Sequence, residues 1–336
     1  MAIRRRTLLS APLALAAPAL LAKGTAAQSA DALLAAARAE GEVMFYTALV
    51  ETHARLIADA FTKATGVKAQ FYRNSTAPVM QRYAAEADSG AIIADAVLSA
   101  GDVSAFMAEA TSKGWVDRLD QSDLQALKAG DFPKAFDKGD VAVATVQLWV
   151  LGYNTDKVKT PPTEWTDLLK PEFKGQVIIN DPSNSDAYVE FWTLLRDKFG
   201  DSFFEKLAAQ SPRRYGLSAQ AIQGLGAGEG AVMLPVTAAQ VLGVKAGGAP
   251  LAYTTLGLTT GIEIPLFKTA AKRAKHPNAA RLFCNWVLSP EGSKVVNQLP
   301  GSLGPYDKQT MPAQYEPPRA GAAGRKDATR KLLGFS

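Results

Sequence analysis

The sequence predicts an α/β fold in which two lobes are joined by a hinge and enclose a cleft. Strand and helix signals alternate along the chain, which is typical of βαβ units and a largely parallel sheet. Two long β-rich stretches, residues 140–154 and 251–266, can each carry the chain from one lobe to the other. The chain has 336 residues, which is enough for two domains with hydrophobic cores of their own.

The first 27 residues have the features of a secretory signal peptide. Arginines at positions 4–6 precede an apolar run over residues 8–22, and small residues up to Ala27 then offer a cleavage site. The apolar run is shorter than the roughly 20 residues of a membrane-spanning helix, which argues against an uncleaved anchor. Residues 5–9 also fit the twin-arginine export pattern. We therefore expect a periplasmic protein, cleaved near Ala27 after export by either route.

The charge of the chain depends strongly on this segment. The whole sequence has 37 basic and 32 acidic residues, but residues 1–27 contain four basic residues and no acidic ones. The remaining chain is close to neutral, which gives no electrostatic case for nucleic acid or an anionic membrane as a partner. The single cysteine, Cys284, excludes an internal disulfide, and His53 and His276 are too few and too far apart to predict a metal site. We predict a monomer without a cofactor or metal.

The first predicted lobe comprises residues 28–140 and 256–300. Its strands are short runs of apolar residues, and its helices have amphipathic periodicity. Pro78 suits the first position of a helix, and Gly66 suits a helix end. We predict helices over residues 29–40, 52–65 and 78–88, a helix after the 101–102 turn that ends at residue 113, and strands over residues 43–46, 68–72 and 94–99.

The second predicted lobe comprises residues 141–255 and 301–336. We predict strands over residues 176–179 and 231–235 and helices over residues 187–199 and 218–225. The glycine-rich stretch at residues 224–230 follows a helix and precedes a strand. A dinucleotide-binding loop has the opposite order, so we interpret these glycines as a helix end and a turn.

A ligand site is predicted where the strands of both lobes end. Ligands of open α/β sheets bind at the carboxyl ends of the strands, and the helices that follow present N–H groups suited to an anion. The loops at these positions are rich in hydroxyls and amides and poor in charge. The candidate ligand-binding residues are Thr47, Ser75, Thr76 and Ser99 in the first lobe, Trp149 in the connecting stretch of residues 140–154, and Asn184, Ser185 and Thr237 in the second lobe. The alternative is that the polar residues cap helices and that Trp149 belongs to the core.

An enzymatic function is not predicted. The sequence has no GxSxG elbow, no HExxH pair and no P-loop lysine motif, and its acidic residues suggest no acid–base pair. No residue is therefore proposed as catalytic.

Three stretches resemble the bacterial extracellular solute-binding proteins that are related to periplasmic ferric-binding proteins. They are residues 43–66, residues 162–175 (PTEWTDLLKPEFKG) and residues 283–292 (FCNWVLSPEG). The resemblance implies a type II periplasmic-binding-protein fold whose lobes close around a solute. It also implies delivery of that solute to the permease of an ABC importer in the inner membrane.

The resemblance does not extend to the iron ligands. The family's histidine, glutamate and two tyrosines fall here on Val50, Ala100, Val236 and Thr237. Ferric iron prefers anionic oxygen ligands, and these positions offer three aliphatic side chains and one neutral hydroxyl. Apolar walls with a few hydroxyls and amides favour a small organic molecule, and we hypothesise an organic anion. Ferric iron in a remodelled site and a ligand sensor for a membrane receptor remain the alternatives.

Overall fold

The computed structural model describes residues 29–130, 132–307, 312–319 and 321–335. The predicted signal peptide, residues 1–27, lies outside them. Within the described chain, strands and helices alternate as the sequence predicts, and most strands join one large mixed sheet. The α/β fold class is therefore confirmed.

Eleven α-helices cover this sheet in the described part of the chain. They are α1 (Ala30–Glu40), α2 (Glu51–Thr65), α3 (Thr76–Asp88), α4 (Ser104–Ser112), α5 (Gln125–Lys128), α6 (Asp186–Ala209), α7 (Ser218–Gly226), α8 (Ala238–Ala246), α9 (Pro277–Val287), α10 (Pro290–Val296) and α11 (Lys326–Leu332). Short 3-10 turns occupy Leu119–Gln121, Trp165–Leu169, Pro171–Phe173, Pro182–Asn184 and Ala322–Arg325. Among the described residues, no helix has both the length and the apolar character needed to cross a bilayer.

The strands follow the predicted order. They are β1 (Glu42–Thr47), β2 (Lys68–Arg73), β3 (Ala96–Leu98), β4 (Val116–Asp117), β5 (Ala142–Asn154), β6 (Val177–Asn180), β7 (Arg213–Tyr215), β8 (Val232–Thr237), β9 (Leu251–Thr254), β10 (Leu258–Thr259), β11 (Gly261–Thr269), β12 (Ser302–Leu303) and β13 (Gln314–Tyr315). The large sheet has the order β2-β1-β3-β11-β5-β8-β6-β7, to which β4, β9 and β12 add.

Strand β5 joins the two halves of the sheet. Its residues from Ala142 to Leu148 pair antiparallel with β11, and its residues from Trp149 to Tyr153 pair antiparallel with β8. We call β2, β1, β3 and β11 the first half-sheet, and β8, β6 and β7 the second half-sheet. The two half-sheets therefore share one strand, which changes partners at Trp149. The division of the chain into lobes, with residues 140–154 and 251–266 as connections, stays a prediction.

Three hydrophobic clusters fill the space between the sheet and the helices. The first contains Phe45, Phe61 and Phe283, the second contains Trp165, Phe191 and Trp192, and the third contains Tyr46, Tyr83 and Phe267. Cys284 lies in the first cluster and is completely buried on α9. The first cluster contains residues of both half-sheets, for example Leu98 of β3 and Val236 of β8, so part of the core is continuous across β5.

Several helix boundaries differ from the predicted ones. Helix α3 begins at Thr76, so Pro78 is its third residue and not its first. Helix α4 begins only at Ser104. Helix α6 continues beyond residue 199 to Ala209, although the backbone leaves helical geometry at Gly200 (φ 69°). The continuation is stable because Phe203 and Phe204 are buried in the same core cluster as the first part of the helix.

Side chains of the family-like stretch at residues 162–175 pack in the hydrophobic core. Trp165 and Leu168 are buried in the second cluster, and Trp165 Nε1 donates a 2.7 Å hydrogen bond to the Leu258 carbonyl. The glycine-rich stretch at residues 224–230 ends α7 and forms the turn into β8, as predicted. These segments stabilise the scaffold around the strand ends.

Candidate functional site

The carboxyl ends of β1, β2 and β3 lie side by side. Thr47, the last residue of β1, is buried, and its Oγ1 accepts a 3.1 Å hydrogen bond from Leu49 N–H. Its carbonyl accepts from Asn74 N–H at 3.2 Å, and Ala48 N–H donates to the Leu98 carbonyl at 3.2 Å. The three loops that the sequence predicts to share an edge therefore do so.

The start of α3 contacts the end of β3. Thr76 Oγ1 donates a 3.0 Å hydrogen bond to the Ala100 carbonyl. Ser75 is exposed and precedes the helix without capping it through its side chain, and Pro78 has no N–H group. The first-turn N–H groups of Thr76 and Ala77 are therefore oriented for an external acceptor.

Ser99 is the candidate with the clearest need of a partner. Its side chain is completely buried, and its Oγ makes no hydrogen bond to any described residue. Its backbone N–H donates to the Pro265 carbonyl of β11 at 3.1 Å. Because buried polar atoms nearly always have partners, this hydroxyl indicates a place for a solvent or solute atom.

The second-lobe candidates make local contacts. Ser185 caps α6 by accepting a 3.3 Å hydrogen bond from Ala187 N–H, and Thr237 caps α8 in the same way from Gln240 N–H at 3.3 Å. Asn184 is exposed, and its Nδ2 donates to the Gly216 carbonyl at 2.5 Å. The capping interpretation therefore describes Ser185 and Thr237, and solute contact by these three residues stays a prediction.

Trp149 lies at the point where β5 changes partners. It is only 2% exposed, and its ring centroid is 5.2 Å from that of Tyr188. It faces Thr237 across the strands, and its N–H donates to the Thr260 carbonyl at 3.0 Å. Its indole Nε1 is buried without a partner among the described residues. Trp149 is therefore part of the packed boundary between the half-sheets and not an open stacking surface.

A carboxyl group that the sequence analysis missed lies at the same boundary. Glu190 of α6 is 1% exposed, and its Oε2 has no hydrogen-bond partner in the described chain. Burial raises the pKa of Glu190 to about 8, and the negative charges of Asp102, Asp186 and Glu263 add to that rise. The signal available in the sequence was one glutamate within the apolar stretch of residues 187–195.

The carboxylate of Glu263 on β11 also acts on Glu190, and its own negative charge is paired with a cation. Burial raises its pKa, and the ammonium of Lys138, 3.3 Å away, opposes that rise. Tyr315 donates to Glu263 Oε1 at 3.2 Å. The Glu263 carbonyl accepts from Gly101 N–H at 2.9 Å, which holds the loop after Ser99 against β11.

Buried side-chain polar atoms without hydrogen-bond partners occur in many parts of the described chain. Four of them lie on or next to β3, β5, β11 and α6: Ser99 Oγ, Trp149 Nε1, Glu190 Oε2 and Thr260 Oγ1. Donors and acceptors of this kind can bind a small polar molecule.

The positions that correspond to the family's iron ligands do not form a metal site. Val50 is exposed at the start of α2, Val236 is completely buried in β8, and Thr237 is engaged in its cap. Within the described ranges, no cluster of histidine, cysteine, aspartate or glutamate has metal-binding geometry. That iron is not bound in the family's manner stays a prediction.

A family model described as bacterial extracellular solute-binding protein matches residues 92–320. The chain belongs to this family. This solute-binding protein is accordingly a transport protein of the exported class, whose partners are a small solute and a membrane permease.

Individual relatives are distant. An uncharacterized protein of Haemophilus influenzae is 25% identical over 298 residues, which cover 83% of this chain and 80% of that protein. The crystal structure of iron-bound HitA from Pseudomonas aeruginosa matches with a TM-score of 0.64 and 18% identity, over 88% of this chain and 99% of HitA.

A periplasmic binding protein, AfuA from Actinobacillus pleuropneumoniae with fructose-6-phosphate bound, matches with a TM-score of 0.55 and 18% identity, over 87% of this chain and 96% of AfuA. At these identities the two structures show the fold alone. The type II periplasmic-binding-protein fold with two lobes is therefore confirmed.

Proposed function

We propose that this chain is the periplasmic receptor of an ABC importer and captures a small organic solute between its lobes by hinge closure. The observation that carries the proposal is the junction of the half-sheets, where the side-chain atoms Ser99 Oγ, Trp149 Nε1, Glu190 Oε2 and Thr260 Oγ1 are buried without hydrogen-bond partners among the described residues. Family membership and the two-lobed fold support it. Export with cleavage near Ala27 and a monomeric state are parts of the same proposal.

We further propose that the solute carries an anionic group, bound beside Ser99. The uncapped N-terminus of α3 provides open N–H donors and a partial positive charge. The hydrogen bond from Thr76 Oγ1 to the Ala100 carbonyl holds the N-terminus of α3 against the loop that contains Ser99, whose hydroxyl has no partner among the described residues. Two independent donors thus converge on the loop after β3.

Closure follows from contacts on both sides of the cleft. A solute that contacts the first-lobe loops and the second-lobe residues Asn184, Ser185 and Thr237 has a higher affinity for the closed state than for the open state. Its binding therefore shifts the population towards closure. The permease would bind the closed lobes.

A thermal-shift screen of the mature protein, from residue 28 onwards, tests this proposal. The panel consists of phosphonates, sulfonates, carboxylates, amino acids, polyamines and sugar phosphates. We expect an anion at about 100 times its Kd to raise the Tm by about 5 °C. We expect Ser99→Ala to weaken that binding about tenfold, because the hydroxyl donor is lost.

Ser202→Ala is the matched control, because Ser202 is exposed on α6, and it should bind as the wild type does. A clear shift with a polyamine or a neutral sugar, and none with any anion, would contradict the anionic group. If no compound raises the Tm, solute capture itself is wrong.

A further inference from the structure

We propose that Glu190, together with Glu263 and Asp102, forms a cation subsite that holds a protonated amine of the bound solute. This inference rests on the proposed receptor function and adds a second charged group to the solute.

The three carboxylates come from three elements that meet at the junction of the half-sheets. Asp102 is on the loop after β3, Glu190 is on α6 and Glu263 is on β11. The bond from Gly101 N–H to the Glu263 carbonyl (2.9 Å) fixes the loop with Asp102 against β11. Asp102 is exposed, Glu263 is half-buried and Glu190 is buried, so the acidic group extends from solvent into the protein.

Glu190 differs from its neighbours in what its carboxylate contacts. Glu263 has Lys138 at 3.3 Å and the Tyr315 hydroxyl at 3.2 Å. Asp102 accepts a 2.8 Å hydrogen bond from Ser104 N–H. Glu190 Oε2 has no such partner within the described residues, although the side chain is 1% exposed. Leaving a buried carboxylate oxygen unpaired is costly, so this position is suited to a donor that arrives with the solute.

Acidic groups outnumber basic groups among those that act on the charge of Glu190. They are the carboxylates of Asp102, Asp186 and Glu263 and the guanidinium of Arg325, and Glu190 acts in turn on the phenol of Tyr315. Two of the carboxylates are already paired, since Asp186 contacts Lys326 Nζ at 3.1 Å in addition to the pair between Glu263 and Lys138. An ammonium group at Glu190 would satisfy Oε2 and offset the negative charge that Glu190 acquires when it ionises.

The protonation state of Glu190 gives this subsite a measurable signature. With a pKa of about 8, Glu190 holds its proton at pH 7 in the absence of solute. A cation in contact favours the ionised carboxylate and lowers that pKa. Binding of an amine at pH 7 therefore releases about one proton to the solvent.

The two charged subsites lie at opposite ends of one short loop. The proposed anion subsite adjoins Ser99 and Ala100, and the cation subsite begins at Asp102. The solute would therefore be a small molecule with an acidic group at one end and an amine at the other.

Matched pairs of probes that differ only in the amine test the inference. The pairs are β-alanine with propionate, taurine with ethanesulfonate, and O-phosphoethanolamine with ethyl phosphate. Thermal shift and calorimetry should show at least tenfold tighter binding of the amine in each pair that binds. Calorimetry at pH 7 in buffers of different ionisation enthalpy should show release of about one proton for the amines and none for propionate or ethanesulfonate.

Two variants connect these signals to the residue. We expect Glu190→Gln to abolish proton release and to reduce the preference for the amine about tenfold. Glu205→Gln makes the same change at an exposed position of α6 and should retain both signals.

The outcomes separate this inference from the receptor function. Anions that bind wild-type protein equally well with and without the amine, or amines that bind without proton release, would overturn the cation subsite and leave the receptor function standing. If neither these pairs nor the wider panel bind, both proposals are wrong.

Discussion

At the scale of single residues, the carboxyl group of Glu190 links the stability of the protein to the proposed solute site. The side chain is 1% exposed and its Oε2 has no partner among the described residues, so its ionised form is disfavoured in the folded protein. In the unfolded chain the same group has a pKa near its usual value of 4.5, whereas the folded value is about 8. The folded state therefore binds an additional proton between these two values.

This difference predicts how stability depends on pH. Because the folded state binds more protons than the unfolded state from about pH 4.5 to 8, the free energy of unfolding should fall as the pH rises through that window. Glu190→Gln removes this contribution. Relative to the wild type, the free energy of unfolding of the variant should increase by on the order of 3 kcal/mol as the pH is raised from 5 to 9. Urea denaturation at each pH measures this difference.

Glu205→Gln is again the control, and it should follow the wild-type curve. Parallel wild-type and Glu190→Gln curves from pH 5 to pH 9 would contradict the raised pKa of Glu190.

At the scale of elements, the turn between α9 and α10 requires a glycine at position 292. Ser289 caps α10 by accepting a 3.1 Å hydrogen bond from Gly292 N–H, and the chain turns directly from α9 into α10. A Cβ atom on Gly292 would lie 1.9 Å from the carbonyl oxygen of Trp286. Only glycine permits the two helices to approach in this way.

We expect Gly292→Ala to destabilise the protein by on the order of 3 kcal/mol, because the backbone of one helix must move to admit the methyl group. Chemical denaturation measures this loss. Gly243→Ala is the matched control, since it lies exposed within α8 with no atom within 4 Å of its added Cβ. It should stabilise the protein by about 0.5–1 kcal/mol through helix propensity. Equal effects of the two substitutions would contradict the close approach at Gly292.

Local sequence signals predicted the elements well and the residues of the proposed site only in part. Thr47 and Ser99 could be named as candidates because they follow strands, and the order of elements fixes where strand ends meet. Glu190 and Glu263 could not, because their neighbourhood depends on contacts between α6 and β11, which are distant in sequence. The start of α3 was also misplaced, because Pro78 suits several positions of a first turn and only the structure shows which one it occupies.

At the scale of the whole molecule, the partner switch of β5 at Trp149 is the feature on which the functional proposal depends. The same strand pairs with β11 before this residue and with β8 after it, so the two half-sheets share one strand. The unpartnered polar atoms of Ser99, Glu190 and Thr260 lie on elements beside this connection. A solute bound there would contact both lobes and stabilise their closed arrangement.

Small-angle X-ray scattering of the mature protein, with and without a saturating solute identified by the thermal-shift screen, tests this claim most directly. A compact protein of this length has a radius of gyration of about 19 Å, and the open form should exceed the closed form. We predict that the radius of gyration falls on addition of the solute and that Ser202→Ala shows the same fall. An unchanged radius of gyration at a solute concentration that calorimetry shows to be saturating would contradict capture by closure.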